Sequence, residues 1–148
     1  MKITEKDLKI LAELGKNSKN TVALISAATG VPVTTVHNRI KQMERSGVIK
    51  KYTLELNHAI LGNTLTAYLM IHTNTMLANG MKVNQKDIAN EIKEIKGVEK
   101  VELLAGHGDI LTKVRAKDTA ELNESVMQKV RKIDGVDKTQ TMVVLEEF

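Results

Sequence analysis

Apolar residues recur at helical spacing near the start of the chain. Leu8, Leu11 and Leu14 lie three residues apart, so they share one face of a helix. Thr4 precedes them as a candidate N-cap, and Asp7 follows three residues later, which is close to a capping box with aspartate in place of glutamate. The pattern predicts a first helix over ITEKDLKILAEL.

Two further helices are predicted directly after it. The segment TVALISAAT is alanine-rich and stops at Gly30, a residue type that commonly ends helices. Pro32 lies just beyond, where its fixed φ suits the first turn of the next helix. That helix runs through VTTVHNRIKQMERS, with an apolar stripe of Val36, Ile40 and Met43. A helix, a glycine turn and a new helix start together predict a helix-turn-helix.

The third helix carries a polar face opposite its stripe, and basic residues follow it. These polar and basic residues are Thr34, Thr35, His37, Asn38, Arg39, Lys41, Arg45, Lys50 and Lys51. Residues 1–62 contain ten Lys and Arg against five Asp and Glu, whereas residues 63–148 contain twelve against thirteen. The excess positive charge therefore lies in the first part, which favours a surface for a polyanion such as DNA. An ordinary solvated helix face is the alternative.

The segment after the third helix alternates apolar and polar residues. Tyr52, Leu54 and Leu56 are two apart, a period that predicts a strand. The chain then divides into a helix-turn-helix domain over 1–51, a hinge strand and linker over 52–62, and a second domain over 63–148.

The second domain contains an internal repeat. IKGVEK at 95–100 recurs as IDGVDK at 133–138, and each copy closes a helical pattern and opens a strand-like one. The predicted elements, in order, are TLTAYLMIHT, NQKDIANEIKEI, VEKVELLA, DILTKVRA, TAELNESVMQKVRKI and KTQTMVVLEEF. This strand, helix, strand, strand, helix, strand order predicts an α+β, ferredoxin-like βαββαβ domain: a four-stranded antiparallel sheet with both helices on one face.

The other face of that sheet needs a partner. Apolar strand residues are distributed over both faces, and they include Leu69, Ile71, Val101, Leu103, Leu111 and Val143. Burying the uncovered face against a second copy is the simplest solution, so we expect a homodimer.

The composition narrows the class of protein. The chain has no cysteine, which excludes disulfides and thiolate chemistry and fits a cytoplasmic location. No apolar run approaches the roughly 20 residues that span a membrane, and the N-terminus lacks a secretory apolar core. The aromatic residues are only Tyr52, Tyr68 and Phe148, too few for a protein that stacks on single-stranded nucleic acid.

The sequence Gly106-His107-Gly108-Asp109 stands between the two middle strands, so a hairpin turn is expected there. A ligand site is the second interpretation, because glycines let a ligand approach backbone N–H groups and Asp109 can receive an ammonium group. The spacing provides no nucleophilic triad, no metal motif such as H-x-x-x-H and no G-x-G-x-x-G fingerprint. We predict no catalytic residue, no metal and no cofactor.

Three motifs carry a family resemblance. The first is the acidic residue followed by Ile-Leu, here Asp7, Ile10 and Leu11; the second is TVHNRIKQMERSGVI at 35–49, with Met43 in place of leucine. The third is a GxxD turn over 106–109. With these motifs the sequence resembles, along nearly its whole length, the Lrp/AsnC (feast/famine) family of transcriptional regulators.

The resemblance implies an N-terminal DNA-binding domain, a hinge strand and a C-terminal domain for ligand sensing and dimerisation. It also implies dimers that assemble further, commonly into octamers, and an amino-acid effector near the GxxD turn, here Gly106, His107, Gly108 and Asp109. With the third helix in the major groove of double-stranded DNA, two sets of contacts follow. Base contacts come from Thr34, Thr35, His37, Asn38 and Lys41. Backbone contacts come from Arg45, Lys50 and Lys51, while Arg39 binds either a phosphate or another residue of the protein.

Three positions depart from the family pattern. Pro32 replaces the usual capping serine, the connection NTMLANGMKVNQ is longer than usual, and His107 adds a titratable group to the turn. The prediction is a sequence-specific transcriptional regulator, not an enzyme, that responds to a small molecule such as an amino acid. The alternatives are a DNA-organising protein without an effector and an amino-acid-sensing module without DNA binding.

Overall fold

A computed structural model describes residues 1–147 as two compact units, Met1–Leu56 and a second from Asn57 onward. Phe148, which ends the predicted fourth strand and is one of the three aromatic residues, lies outside the described residues. The predicted division at 51, 62 and 63 stays a prediction.

The first unit contains three helices, α1 (Glu5–Lys16), α2 (Val22–Thr29) and α3 (Val33–Arg45). Helix α2 ends at Gly30, which adopts the left-handed conformation with φ of +70°. Pro32 takes the N-cap position of α3 rather than its first turn, and α3 has no side-chain cap there. The predicted helix-turn-helix is therefore confirmed, with the loss of the cap that the proline implied.

Helix α1 begins with the predicted capping box. Thr4 Oγ1 accepts a hydrogen bond from the Asp7 N–H at 3.4 Å, and an Asp7 carboxylate oxygen accepts one from the Thr4 N–H at 2.7 Å. The three helices share a small core whose buried apolar residues are Ile10, Ile25, Val31, Val36 and Met43. This core fixes which face of α3 is turned outward.

The strand predicted through Tyr52, Leu54 and Leu56 is not formed, which corrects that expectation. A strand requires a hydrogen-bonded neighbour, and within the described residues no other segment pairs with 51–57. The alternating side chains remain largely solvent-accessible: Leu54 is 71% exposed. Alternation of apolar and polar residues alone therefore does not establish that a segment pairs with another strand.

The second unit has the predicted strand and helix order. Its elements are β1 (Leu65–Thr73), α4 (Gln85–Lys93), β2 (Val98–Leu103), β3 (Ile110–Ala116), a helical run α5 (Thr119–Glu121, Leu122–Met127, Gln128–Val130) and β4 (Val136–Val143). The sheet order is β2-β3-β1-β4, and every neighbouring pair is antiparallel. The ferredoxin-like prediction is confirmed.

Helix α5 is less regular than its sequence pattern predicts. Its middle segment, Leu122–Met127, is a π-turn in which the Gln128 N–H donates to the Asn123 carbonyl, five residues back. The wider turn buries Met127 as well as Val126. A π-turn contains one residue more than an α-helical turn, and apolar residues at α-helical spacing do not indicate it.

One face of the sheet packs against α4 and α5. Leu69 and Ile71 of β1 are fully buried on that face, together with the other core residues of this unit. The opposite face carries Tyr68 and Met70 of β1 beside Lys113 and Leu111 of β3, all of them half-buried. The prediction that apolar residues divide between the two faces is confirmed for Leu69, Ile71 and Leu111.

Each copy of the repeat contains a glycine that ends the turn after a helix. Gly97, the glycine of the first copy, is closely packed against β3. Gly97 has φ of +95°, and its carbonyl accepts a hydrogen bond from the Arg115 N–H at 2.7 Å. A Cβ atom at Gly97 would lie 2.8 Å from the Arg115 carbonyl oxygen, so no side chain fits without moving β3.

We expect Gly97→Ala to lower the free energy of unfolding of this unit by about 2 kcal/mol, through left-handed strain plus the backbone clash. Gly62→Ala is the matched control, because Gly62 has φ of +84° and no atom within 4 Å of an added Cβ. Its cost should be about 1 kcal/mol, the strain alone. Urea unfolding measures both, and equal costs would contradict the role of the Arg115 contact.

Candidate functional sites

The exposed face of α3 presents four polar side chains in one stripe. At about 100° per residue, Thr34, Asn38, Lys41 and Arg45 lie within about 60° of one another around the helix axis. All four are exposed, and they stand opposite the buried stripe. Because the buried side sets the helix rotation, these four side chains are held together on the outer surface.

The other predicted contact residues lie at the margins of this stripe. His37 is exposed on one flank, Thr35 is half-buried on the other, and Lys50 and Lys51 are exposed beyond the end of α3. Gln42 is also exposed on the Thr35 side, and the sequence interpretation missed it. Gln42 lies four residues after Asn38, and this spacing places the two side chains on the same face of the helix.

Arg39 is half-buried and is held by hydrogen bonds within the protein. Its Nε donates to Asp7 Oδ1 at 2.6 Å, and a terminal guanidinium nitrogen pairs with Asp7 Oδ2. The other terminal nitrogen donates to Gln42 Oε1 at 2.9 Å. Of the two roles left open for Arg39, the intramolecular one is the one observed, and the pair joins α3 to the start of α1.

Asp7 is a buried carboxylate whose charge is fully partnered. It has no solvent exposure, and besides Arg39 it accepts from the Thr4 N–H and the Thr4 hydroxyl at 2.7 Å each. The guanidinium of Arg39 is the largest cause that holds the Asp7 pKa well below its usual range, against the opposing effect of burial. The carboxylate is therefore ionised throughout the physiological range.

The end of α3 is tied to the segment that follows it. Tyr52 donates its hydroxyl hydrogen to Glu44 Oε1 at 2.8 Å. Burial raises the pKa of Tyr52, and the neighbouring Glu44 carboxylate raises it further. Glu44 is the single acid in α3, so this hydrogen bond turns it toward Tyr52.

The turn between β2 and β3 is anchored by Asp109. One carboxylate oxygen accepts from the Thr73 N–H at 2.7 Å, and the other accepts from Gln85 Nε2 at 3.0 Å. Its own N–H donates to the Ile71 carbonyl at 3.0 Å. The predicted hairpin turn is present, and Asp109 joins it to β1 and to the start of α4.

Hydrogen bonding also sets the charge state of Asp109. The Thr73 N–H is the largest cause that lowers the Asp109 pKa; burial opposes it, while Gln85 and the nearby His72 lower it further. Asp109 therefore holds a stable negative charge where the two central strands, β3 and β1, meet the turn.

The remaining residues of the turn differ in access. Gly106 is exposed and its surroundings are open, whereas Gly108 is buried, and a Cβ there would lie 2.2 Å from Met70 Sδ. His107 is exposed, and its ring lies 5.5 Å from that of His72 in an edge-to-face arrangement. Of the two glycines in this turn, only Gly106 therefore has a backbone that a ligand can approach.

Within residues 1–147, no group of three or more His, Cys, Asp or Glu side chains is arranged to hold a metal ion. Over the same residues, no helix has the length and apolar character to cross a membrane.

Both units match known sequence families. The model described as winged helix-turn-helix DNA-binding matches residues 3–50, and the model of the Lrp/AsnC ligand binding domain matches residues 66–148. The chain belongs to the Lrp/AsnC family. It is accordingly a helix-turn-helix transcriptional regulator with a ligand-binding domain, and not an enzyme.

Relatives and solved structures agree with this assignment. An uncharacterized HTH-type transcriptional regulator of Pyrococcus furiosus is 39% identical over 93% of this chain and 89% of the relative. The HTH-type transcriptional regulator FL11 of the same organism is 33% identical over 95% and 87%. Escherichia coli AsnC has the same fold, with a TM-score of 0.82, 22% identity and coverage of 99% and 95%. A Neisseria meningitidis regulator solved with L-Met has a TM-score of 0.83, 21% identity and coverage of 99% and 92%.

Proposed function

We propose that this Lrp/AsnC protein binds a specific double-stranded DNA site through α3 and that an amino acid modulates this binding in the cytoplasm. The observation that carries the proposal is the exposed stripe of Thr34, Asn38, Lys41 and Arg45 on a helix whose rotation is fixed by a buried core. Amide, hydroxyl and ammonium groups at this spacing suit base edges in the major groove.

Roles divide by position along and around α3. Thr34, Asn38 and Lys41 contact bases, and Thr35 and His37 contribute from the flanks. Arg45, Lys50 and Lys51 contact phosphates, since they lie at or beyond the end of the helix. Arg39 contributes indirectly, because its guanidinium is engaged by Asp7 and orients α3.

A competitor titration tests the proposal of specific binding. A duplex selected by the protein from a random library is labelled, and unlabelled random duplex is then added in large excess. A specific regulator keeps its site under these conditions, whereas a DNA-organising protein that binds through charge loses it. Complete displacement by an equal mass of random duplex would overturn the proposal.

The effector proposal rests on the turn over residues 106–109. The exposed backbone at Gly106 suits a carboxylate, while the ionised Asp109 and the neighbouring His107 supply polar partners for an amino group. A structural neighbour from Neisseria meningitidis is complexed with L-Met, which supports an amino acid as the class of effector.

We expect Asp109→Ala to abolish the amino-acid response while leaving DNA binding intact, although it removes the acceptor for the hydrogen bonds from Thr73 and Gln85 and so lowers the melting temperature. A thermal-shift panel of the twenty amino acids first identifies the effector, because a ligand that binds the folded state raises its melting temperature. Asp109→Asn is the matched control: it keeps an acceptor for the Thr73 N–H but removes the charge, so the response should weaken rather than disappear. An undiminished response in Asp109→Ala would place the site elsewhere.

We further propose that the open sheet face forms a homodimer and that dimers assemble into octamers. Leu111 lies half-buried on this face, directly opposite Met70 in the pairing of the two central strands. A glutamate at position 111 should disrupt the dimer, because a buried carboxylate without a partner is costly. Sedimentation of Leu111→Glu at micromolar concentration should show monomers, whereas the control Leu8→Glu, on the exposed side of α1, should sediment like the native protein. A native protein that sediments as a monomer would contradict this proposal.

A further inference from the structure

Two imidazoles and a thioether converge where the turn before β3 meets β1. His72 and Met70 are two residues apart on β1, so both point to the sheet face that the helices leave uncovered. His107 lies in the turn, with its ring 5.5 Å from the His72 ring. Met70 Sδ packs on Gly108, the residue directly after His107. His107 belongs to the proposed effector turn, whereas His72 and Met70 have no role in the proposed function.

The spacing of the two rings is that of two imidazoles that share one metal ion. A metal–nitrogen bond is about 2 Å long and the ring centre lies about 1 Å beyond the nitrogen, so two such rings have their centres about 5–6 Å apart. The observed 5.5 Å falls in this range. His107 is exposed and His72 is half-buried, so an ion can reach both rings from solvent.

The available third ligand decides which metal fits. Because no three His, Asp or Glu side chains come together within residues 1–147, hard carboxylate coordination is not offered here. Asp109, two residues after His107, already accepts hydrogen bonds from Thr73 and Gln85. The thioether of Met70 is a soft donor, and a combination of imidazole and thioether favours monovalent copper over zinc or magnesium.

We propose that His72, His107 and Met70 form a binding site for a Cu(I) ion. A monovalent ion also suits the charges nearby: Lys138 on β4 is the register partner of His72, and its repulsion is weaker for a single positive charge than for a double one. The ionised Asp109 beside His72 partly offsets Lys138. An ion held in this way ties the turn to β1. The site shares His107 with the proposed effector turn and involves no residue of the proposed DNA-binding face.

Copper binding to the full-length, tag-free protein tests the proposal directly. Cu(I), kept reduced by ascorbate without oxygen, is titrated in competition with a coloured Cu(I) chelator. The native protein should withdraw one ion per chain from the chelator. His72→Ala, His107→Ala and Met70→Leu should each weaken the affinity by at least about tenfold, as expected for the loss of one ligand in three. His37→Ala is the matched control, because His37 is an exposed histidine on α3, and it should bind like the native protein.

Each outcome bears on the site itself. His107→Ala removes an exposed side chain, so its folding is secure, and a melting curve of every variant without copper verifies this. The proposal is overturned if the native protein takes no copper from the chelator, if any of the three variants binds like the native protein, or if His37→Ala loses affinity to the same extent. Binding of Zn(II) alone would equally overturn it. An amino-acid thermal shift that persists without copper binding would leave the effector proposal standing.

Discussion

Replacing Asp7 with alanine is expected to lower the free energy of unfolding of the N-terminal unit by about 3 kcal/mol, the scale for breaking a buried ion pair. The change removes every partner that Asp7 supplies: the hydrogen bonds to Thr4 that cap α1 and the two that hold Arg39. It leaves the Arg39 guanidinium in a half-buried place without its carboxylate. Chemical unfolding followed by circular dichroism measures the loss.

Controls separate the buried pair from surface charge. Glu5 forms an exposed ion pair with Lys9 one turn apart on the same helix, so Glu5→Ala should change stability little. Arg39→Met should destabilise in the same direction as Asp7→Ala, because it leaves a buried carboxylate. The double variant should cost less than the two single costs together, since the two side chains interact. Additive costs would contradict a direct coupling.

The same pair makes stability depend on pH in a defined direction. The Asp7 pKa is lower in the folded protein than in the unfolded chain, where it is about 3.9. The contribution of Asp7 is therefore complete above about pH 4 and is lost as the pH falls toward the folded-state pKa. Asp7→Ala should lack this part of the acid sensitivity, so the two proteins should become more similar in stability below about pH 4.

Asn38→Ala is expected to weaken binding to the selected DNA site by about tenfold to hundredfold, the scale for losing a bidentate base contact. Binding to random duplex should change little, because a base contact carries specificity. The physical reason is position: Asn38 lies at the centre of the exposed stripe of α3, and its amide can pair with adenine. Fluorescence anisotropy with both duplexes measures the two affinities.

Lys41→Ala provides the comparison that distinguishes charge from base recognition. If the Lys41 contact is ionic, its loss should weaken binding to both duplexes and reduce the salt dependence by about one phosphate contact per helix. Lys93→Ala, at the end of α4, removes the same charge from the C-terminal unit and should change neither value. Unchanged affinity and salt slope in Lys41→Ala would argue against its role on the DNA.

The features predicted correctly from sequence are those with repeated, local signals. The IKGVEK and IDGVDK copies, together with the strand and helix patterns around them, indicate the βαββαβ order. The capping box and Gly30 define helix ends through residues only a few positions apart. Consistent local signals of this kind leave few alternative folds.

The features that sequence did not predict depend on contacts between distant residues. The sequence predicts Asp7 as the partner of Thr4 in the capping box, but its other partner, Arg39, lies 32 residues away, and that pairing depends on how α3 crosses α1. The sequence predicts Asp109 as a candidate amine receptor, but it does not predict that the Asp109 oxygens also accept hydrogen bonds from Thr73 and Gln85 of other elements. The strand at Tyr52 failed for a related reason, since periodicity does not supply a partner strand.

The Asp109 contact has a mechanical consequence. The register of β1 against β4 shifts between His72 and Thr73, and the Thr73 N–H at this bulge is bonded by the Asp109 carboxylate. Gln85, at the start of α4, holds the other oxygen. The turn, the bulge and the helix start are thus linked through one side chain. A molecule that displaces the turn breaks the hydrogen bond between the Thr73 N–H and Asp109 and exposes this amide to solvent. The hydrogen-exchange rate of the Thr73 amide therefore reports whether a bound molecule has displaced the turn.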